Sequence, residues 1–98
     1  MDLKALTCEM NRFVEAKGWY APNSPRPQTP RNLATSMAIE AAEVLEHFQW
    51  SEVAASGVED ELADVALYLL QLAHRLGIDL EAAILAKLNL NSSRRWDG

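Results

Sequence analysis

Three observations predict that this chain is an all-α protein of four helices. Apolar residues recur at intervals of three and four in four separate stretches. All four prolines fall between residues 22 and 30, so the rest is free of the commonest helix breaker. Two acidic pairs, Glu40/Glu43 and Glu61/Asp64, share a spacing of three, which on a helix places both carboxylates on one face. The expected helices cover roughly 2–17, 30–50, 57–76 and 79–95, within one domain spanning 1–98.

Composition narrows the function classes. Of 98 residues, 49% are hydrophobic, enough for a core, but helical pairs this short often complete theirs by associating. An oligomer is therefore expected. The net charge of −5 and the lack of a basic stripe argue against nucleic acid as a partner. Cys8 is the only cysteine, so an internal disulfide and a cysteine-based zinc site are both excluded. The opening residues lack the order of a secretory signal, and no apolar run approaches the ~18 residues of a membrane span. A soluble cytoplasmic protein without a membrane partner is expected.

In the first helix Leu3, Leu6, Met10, Phe13 and Val14 form a core stripe, and Gly18 is the stop. Residues 18–30 form a proline-rich loop whose Trp19 and Tyr20 either pack back onto the helices or line a site for a planar ligand. Thr29 caps the second helix, with Pro30 at its first position. Its apolar stripe is Leu33, Met37, Ala41, Val44 and Phe48. Glu40 lies at the stripe's edge, Glu43, His47 and Trp50 lie on the adjoining flank, and Glu46 points further toward solvent.

Ser56 to Glu59 has capping-box spacing and is expected to open the third helix, which ends at Gly77. Its core stripe is Leu62, Val65, Ala66, Leu69, Leu72, Ala73 and Leu76, with Glu61, Asp64 and Tyr68 together beside it. Asp79 caps the fourth helix, whose inward line reads Leu80, Ile84, Lys87, Leu88, Asn91. A lysine and an asparagine on such a line need partners. Either Lys87 snorkels to solvent, or Lys87, Asn91 and Arg94 face the acidic cluster and hold an anion there.

Carboxylates converging from two helices are what a hard divalent cation such as Mg²⁺ wants. With cationic and amide donors opposite, and Trp19, Trp50 and Tyr68 for a flat group, the set matches the needs of a nucleoside triphosphate site. There is no Gly-rich phosphate loop and no convincing cysteine or serine nucleophile, so metal-assisted hydrolysis is the natural chemistry. Two other classes compete. One is a non-catalytic helical dimerisation or nucleotide-binding module with solvated acidic pairs. The other is a carboxylate-bridged di-iron protein, although its Glu-x-x-His words are missing.

A resemblance covers nearly the whole chain. The words Thr29-Pro30-Arg31-Asn32-Leu33-Ala34, Ile39-Glu40-Ala41-Ala42-Glu43, Phe48-Gln49-Trp50, Glu61 through Leu70, and Lys87-Leu88-Asn89-Leu90-Asn91 stand in this order. Together they resemble the MazG-like nucleotide pyrophosphohydrolases of the all-α NTP pyrophosphatase superfamily. The resemblance implies a four-helix protomer in a dimer or dimer of dimers, with the site at the subunit interface. It implies Mg²⁺-dependent cleavage, with Mn²⁺ as a substitute, of a (deoxy)nucleoside triphosphate between its α- and β-phosphates. Carried over, Glu40, Glu43, Glu61 and Asp64 are the metal ligands and catalytic carboxylates. Lys87 and Asn91, with Arg94 beside them, match the phosphate side. Trp19, Trp50 and Tyr68 match base-pocket positions of the dCTP-hydrolysing branch. That branch carries a histidine where this chain has Gln28, and another near Met10.

Overall fold

The structure, a computed structural model, describes residues 1–94. It contains α1 (Leu3–Ala16), α2 (Pro30–Glu46), α3 (Val58–Arg75) and α4 (Leu80–Ser93), with no strand among the described residues. The all-α expectation holds.

Most helix ends follow their local chemistry. Asp2 accepts a hydrogen bond from the Ala5 N–H at 2.8 Å, Thr29 from Asn32 at 3.2 Å, and Asp79 from Ala82 at 3.0 Å. Gly18 and Gly77, with φ of 73° and 68°, stop α1 and α3 in the left-handed conformation that glycine adopts most easily. The Trp19 N–H then returns to the Val14 carbonyl and the Ile78 N–H to Ala73, the six-to-one bond of a Schellman stop.

Two ends depart from expectation. Gly57, not Ser56, occupies the N-cap of α3 with φ 94°, and no side chain caps it. The first turn carries Glu59, Asp60 and Glu61 instead, whose charges favour the positive end of the helix. The second helix ends at Glu46 and does not reach Trp50. Beyond it the N–H groups of Phe48 and Gln49 bond to carbonyls three residues back, so the backbone tightens into turns. The last helix ends at Ser93 with Arg94 extended; its expected limit at Arg95 lies outside the described residues.

The helices α2 and α3 share the largest interface, α1 packs on α3, and α4 packs chiefly on α1. Met10, Val14 and Leu70 form the buried centre, with Leu3, Trp19, Tyr20 and Leu80 against it. Leu33, only 2% exposed, anchors α2. Much of the expected apolar surface is not covered within the chain. Leu62 and Leu69 of α3, Phe48 beyond α2, and Ile84, Leu85, Leu88 and Leu90 of α4 are all exposed. The fourth helix is the clearest correction. Its expected inward line is half-buried only at Leu80 and Asn91, and Lys87 stands in solvent. The radius of gyration, 16.1 Å, exceeds the ~13 Å of a compact chain this long. Among the described residues no helix is long and apolar enough to cross a membrane.

Candidate active site

The site is built on the α2–α3 hairpin. The end of α2 meets the start of α3, where His47 Nε2 lies 3.1 Å from Glu61 Oε2. Gln28, just before α2, meets the end of α3 through Gln71 and Arg75. The two helices therefore run antiparallel, which sets Glu40 and Glu43 against Glu61 and Asp64.

Glu40 registers that gathering. Its carboxyl is held above the ordinary glutamate range, first by burial, then by a hydrogen bond with Glu43, then by the charges of Glu43, Asp64 and Glu61. Among the described residues none of Glu40, Glu43 and Asp64 is paired with a lysine, arginine or histidine. The donor set is four carboxylates and no thiolate, which suits a hard divalent cation and supplies the negative charge such an ion would balance. The carboxylates are neighbours without being closed into a cage: among the described residues no group of three or more His, Cys, Asp or Glu side chains is arranged to hold a metal ion.

Asp64 also borders a cavity of about 500 Å³ whose walls include Met10, Phe13, Trp19, Leu67 and Tyr68. Trp19 meets Phe13 edge-on, with ring centres 5.7 Å apart at 87°. The structure thus brings Trp19 and Tyr68 together on a cavity that one member of the second acidic pair, Asp64, also borders. Trp19 and Tyr68 also line a second cavity, about 400 Å³, under the proline-rich loop, where the Arg26 guanidinium stands 5.8 Å from the Trp19 ring. Of the two expectations for the loop aromatics the packing one holds, since Trp19 and Tyr20 both pack on the core; Trp19 also lines both cavities.

Other expected site residues are not brought there within one chain. Trp50 is 90% exposed, because α2 stops before it and the flank it was expected to share with Glu43 does not extend that far. Lys87, Asn91 and Arg94 ride on or just beyond α4, which packs chiefly on α1, and none of them lines the cavity that Asp64 borders.

The model of the MazG-like family matches residues 35–96, a stretch that begins on α2 and takes in all four carboxylates. This chain belongs to the MazG-like family. It is similar to dCTP pyrophosphatase 1 of Rattus norvegicus and of Homo sapiens, 36% identical over 76 residues in each case, and to that of Mus musculus at 34%. The aligned part is 66% of this chain and 45% of each relative, so the chain spans less than half the length of the relatives it matches.

Two features of this MazG-like chain were not assigned a role from the sequence. The first is a clasp between the proline-rich loop and α3. Gln71, 4% exposed, donates from Nε2 to Gln28 Oε1 at 2.7 Å, and Gln28 donates from its own Nε2 to the Arg26 carbonyl at 2.6 Å. A carbonyl can only accept, which fixes the orientation of both amides. Arg75 donates to the Gln28 carbonyl at 3.0 Å and lies 5.2 Å from the Tyr20 ring, while Tyr20 donates to Asn11 at 2.6 Å. Burial pushes the Tyr20 hydroxyl up despite the Gln71 hydrogen bond and the Arg75 charge, which act the other way; Glu15 adds to the rise. The signal was present: Gln71 stands one turn beyond Tyr68 and two beyond Asp64, on the same side of α3. The second feature is the contact of His47 with Glu61, which joins residues fourteen apart across the hairpin.

Proposed function

We propose that this MazG-like chain is a divalent-cation-dependent pyrophosphohydrolase of (deoxy)nucleoside triphosphates, releasing a nucleoside monophosphate and pyrophosphate. The observation that carries the reading is the position of Asp64, which belongs to the four-carboxylate face and also borders the cavity holding Trp19 and Tyr68. A flat base and a charged phosphate chain are the two ends of one substrate, and these are their two kinds of receptor. The name of the relatives, dCTP pyrophosphatase 1, supports the same reaction class.

In this reading Glu40, Glu43, Glu61 and Asp64 hold Mg²⁺, with Mn²⁺ as a substitute. A bound ion of this kind offsets phosphate charge and lowers the cost of charge developing on the leaving pyrophosphate. The chain's own carboxylates orient a water and accept its proton as its oxygen adds to phosphorus and the bridging P–O bond breaks. Trp19 and Tyr68 stack on or flank the base, and closure by the proline-rich loop keeps bulk water from that end. Clearing the nucleotide pool in the cytoplasm is the role this chemistry fits.

We place the reaction in a homodimer or homotetramer. The accessible surface, 7587 Å², exceeds by about 2,000 Å² the value expected for a compact monomer of this mass, a difference on the scale of a stable interface. The exposed leucines of α4 contribute to the apolar part of that surface. Assembly also accounts for Lys87, Asn91, Arg94 and Trp50, which a second copy brings to the carboxylates and cavity of the first.

The lack of a closed carboxylate cage in one chain favours a second reading, a non-catalytic nucleotide-binding module. Substitution separates the two. Glu40→Gln, Glu61→Gln and Asp64→Asn are each expected to abolish pyrophosphate release while far-UV circular dichroism keeps its helical form. Retained turnover in all three refutes the assignment.

A further inference from the structure

We propose that His47 is a positioning residue for the cation centre, holding the Glu61 carboxylate in the orientation that offers it to a divalent ion. The inference rests on the cation-dependent reading above. His47 is the residue immediately after α2, four beyond Glu43, so it lies on the side of the helix that carries the acidic pair. Its side chain is 10% exposed and its Nε2 is 3.1 Å from Glu61 Oε2. Glu61 belongs to the acidic group that Glu40 senses.

The physical need for such a contact is specific. Without an ion, Glu40, Glu43, Glu61 and Asp64 repel one another, and a glutamate with part of its side chain in solvent relieves that repulsion by swinging outward. Glu61 has this freedom, its side chain being 26% exposed. The hydrogen bond from His47 opposes the swing and restricts the carboxylate before the ion arrives. It occupies Oε2 and leaves Oε1 without a protein donor among the described residues. Packing alone does not account for an imidazole here, because its Nδ1 is buried with no hydrogen-bond partner, a desolvation cost that leucine would avoid. The chemistry on the Nε2 side is what the imidazole supplies. Partners that orient a ligating carboxylate typically change metal affinity by about 10–100-fold when removed.

The test is Mn²⁺ binding by the full chain, followed by the loss of the free-ion electron paramagnetic resonance signal. Wild type is compared with His47→Leu, His47→Met and His47→Gln, and helix content is checked by circular dichroism. Leucine and methionine remove the donor, whereas the terminal Nε2 of glutamine reaches where the imidazole Nε2 stood. We expect about 10–100-fold weaker binding for the first two and recovery of most of the affinity by glutamine. If leucine costs helicity, methionine against glutamine decides the matter. Wild-type affinity in a folded leucine or methionine variant overturns the inference. So does a folded glutamine variant as weak as methionine, which assigns the effect to packing. A wild-type chain that takes up no Mn²⁺ instead refutes the cation-centre reading itself.

Discussion

Replacing Gln71 with alanine is expected to cost about 2 kcal/mol of stability and to loosen the proline-rich loop. About 1 kcal/mol comes from the hydrogen bond to Gln28, and roughly another from burying less aliphatic side chain at a position 4% exposed. For a domain of this size such a loss lowers the melting temperature by roughly 8–16 °C. Gln28→Ala is expected to cost a similar ~2 kcal/mol, because it leaves the Gln71 donor buried without an acceptor. In the double variant neither amide is stranded, so the total should be near 3 kcal/mol, a coupling of about 1 kcal/mol. Thermal melts at one protein concentration measure the cycle, and Trp19 fluorescence reports whether the loop opens first. Costs that add to within ~0.3 kcal/mol, or a Gln71→Ala melt close to wild type, refute the clasp.

Four further outcomes follow from the same geometry. Because Glu40 holds its proton more tightly folded than unfolded, metal-free stability should fall as pH rises from the ordinary glutamate value through the raised one and stay lower above it. Glu40→Gln should flatten that fall and melt higher than wild type near pH 7 in EDTA; an unchanged profile contradicts the crowding of carboxylates. Trp19→Ala should raise KM more than it lowers kcat, as lost stacking does. Trp50→Ala should share that effect only if a second copy presents Trp50, so a KM equal to wild type rules out that arrangement. Leu88→Glu, on the exposed face of α4, should turn the assembly into monomers on sedimentation, and an unchanged mass places the interface elsewhere.

Local chemistry was the most legible layer. Thr29 and Asp79 cap through their nearest neighbours, and Gly18 and Gly77 stop helices where a left-handed residue is needed, so short sequence words were enough. Ser56 misled because a glycine beside it can take the cap position through its backbone alone. The facing of Glu40 and Glu43 toward Glu61 and Asp64 was readable because matched spacings on adjacent helices meet in a hairpin. The placing of Lys87 and Asn91 was not readable within one chain. An apolar stripe says that a face is covered but not by what, and here α4 packs chiefly on α1. The contacts of Gln71 with Gln28 and of His47 with Glu61 were not readable because the partners lie 43 and 14 residues apart. Such pairs become visible only when the hairpin closes.

The most direct test of the central claim is the product spectrum from a panel of ordinary and modified nucleoside triphosphates, followed by phosphorus nuclear magnetic resonance with Mg²⁺ and with EDTA. A monophosphate and pyrophosphate are expected in equal amounts, formed with Mg²⁺ and abolished by EDTA. Release of inorganic phosphate and a diphosphate would contradict the assigned bond. Silence across the panel from a folded, assembled protein would contradict the assignment as an enzyme of this class.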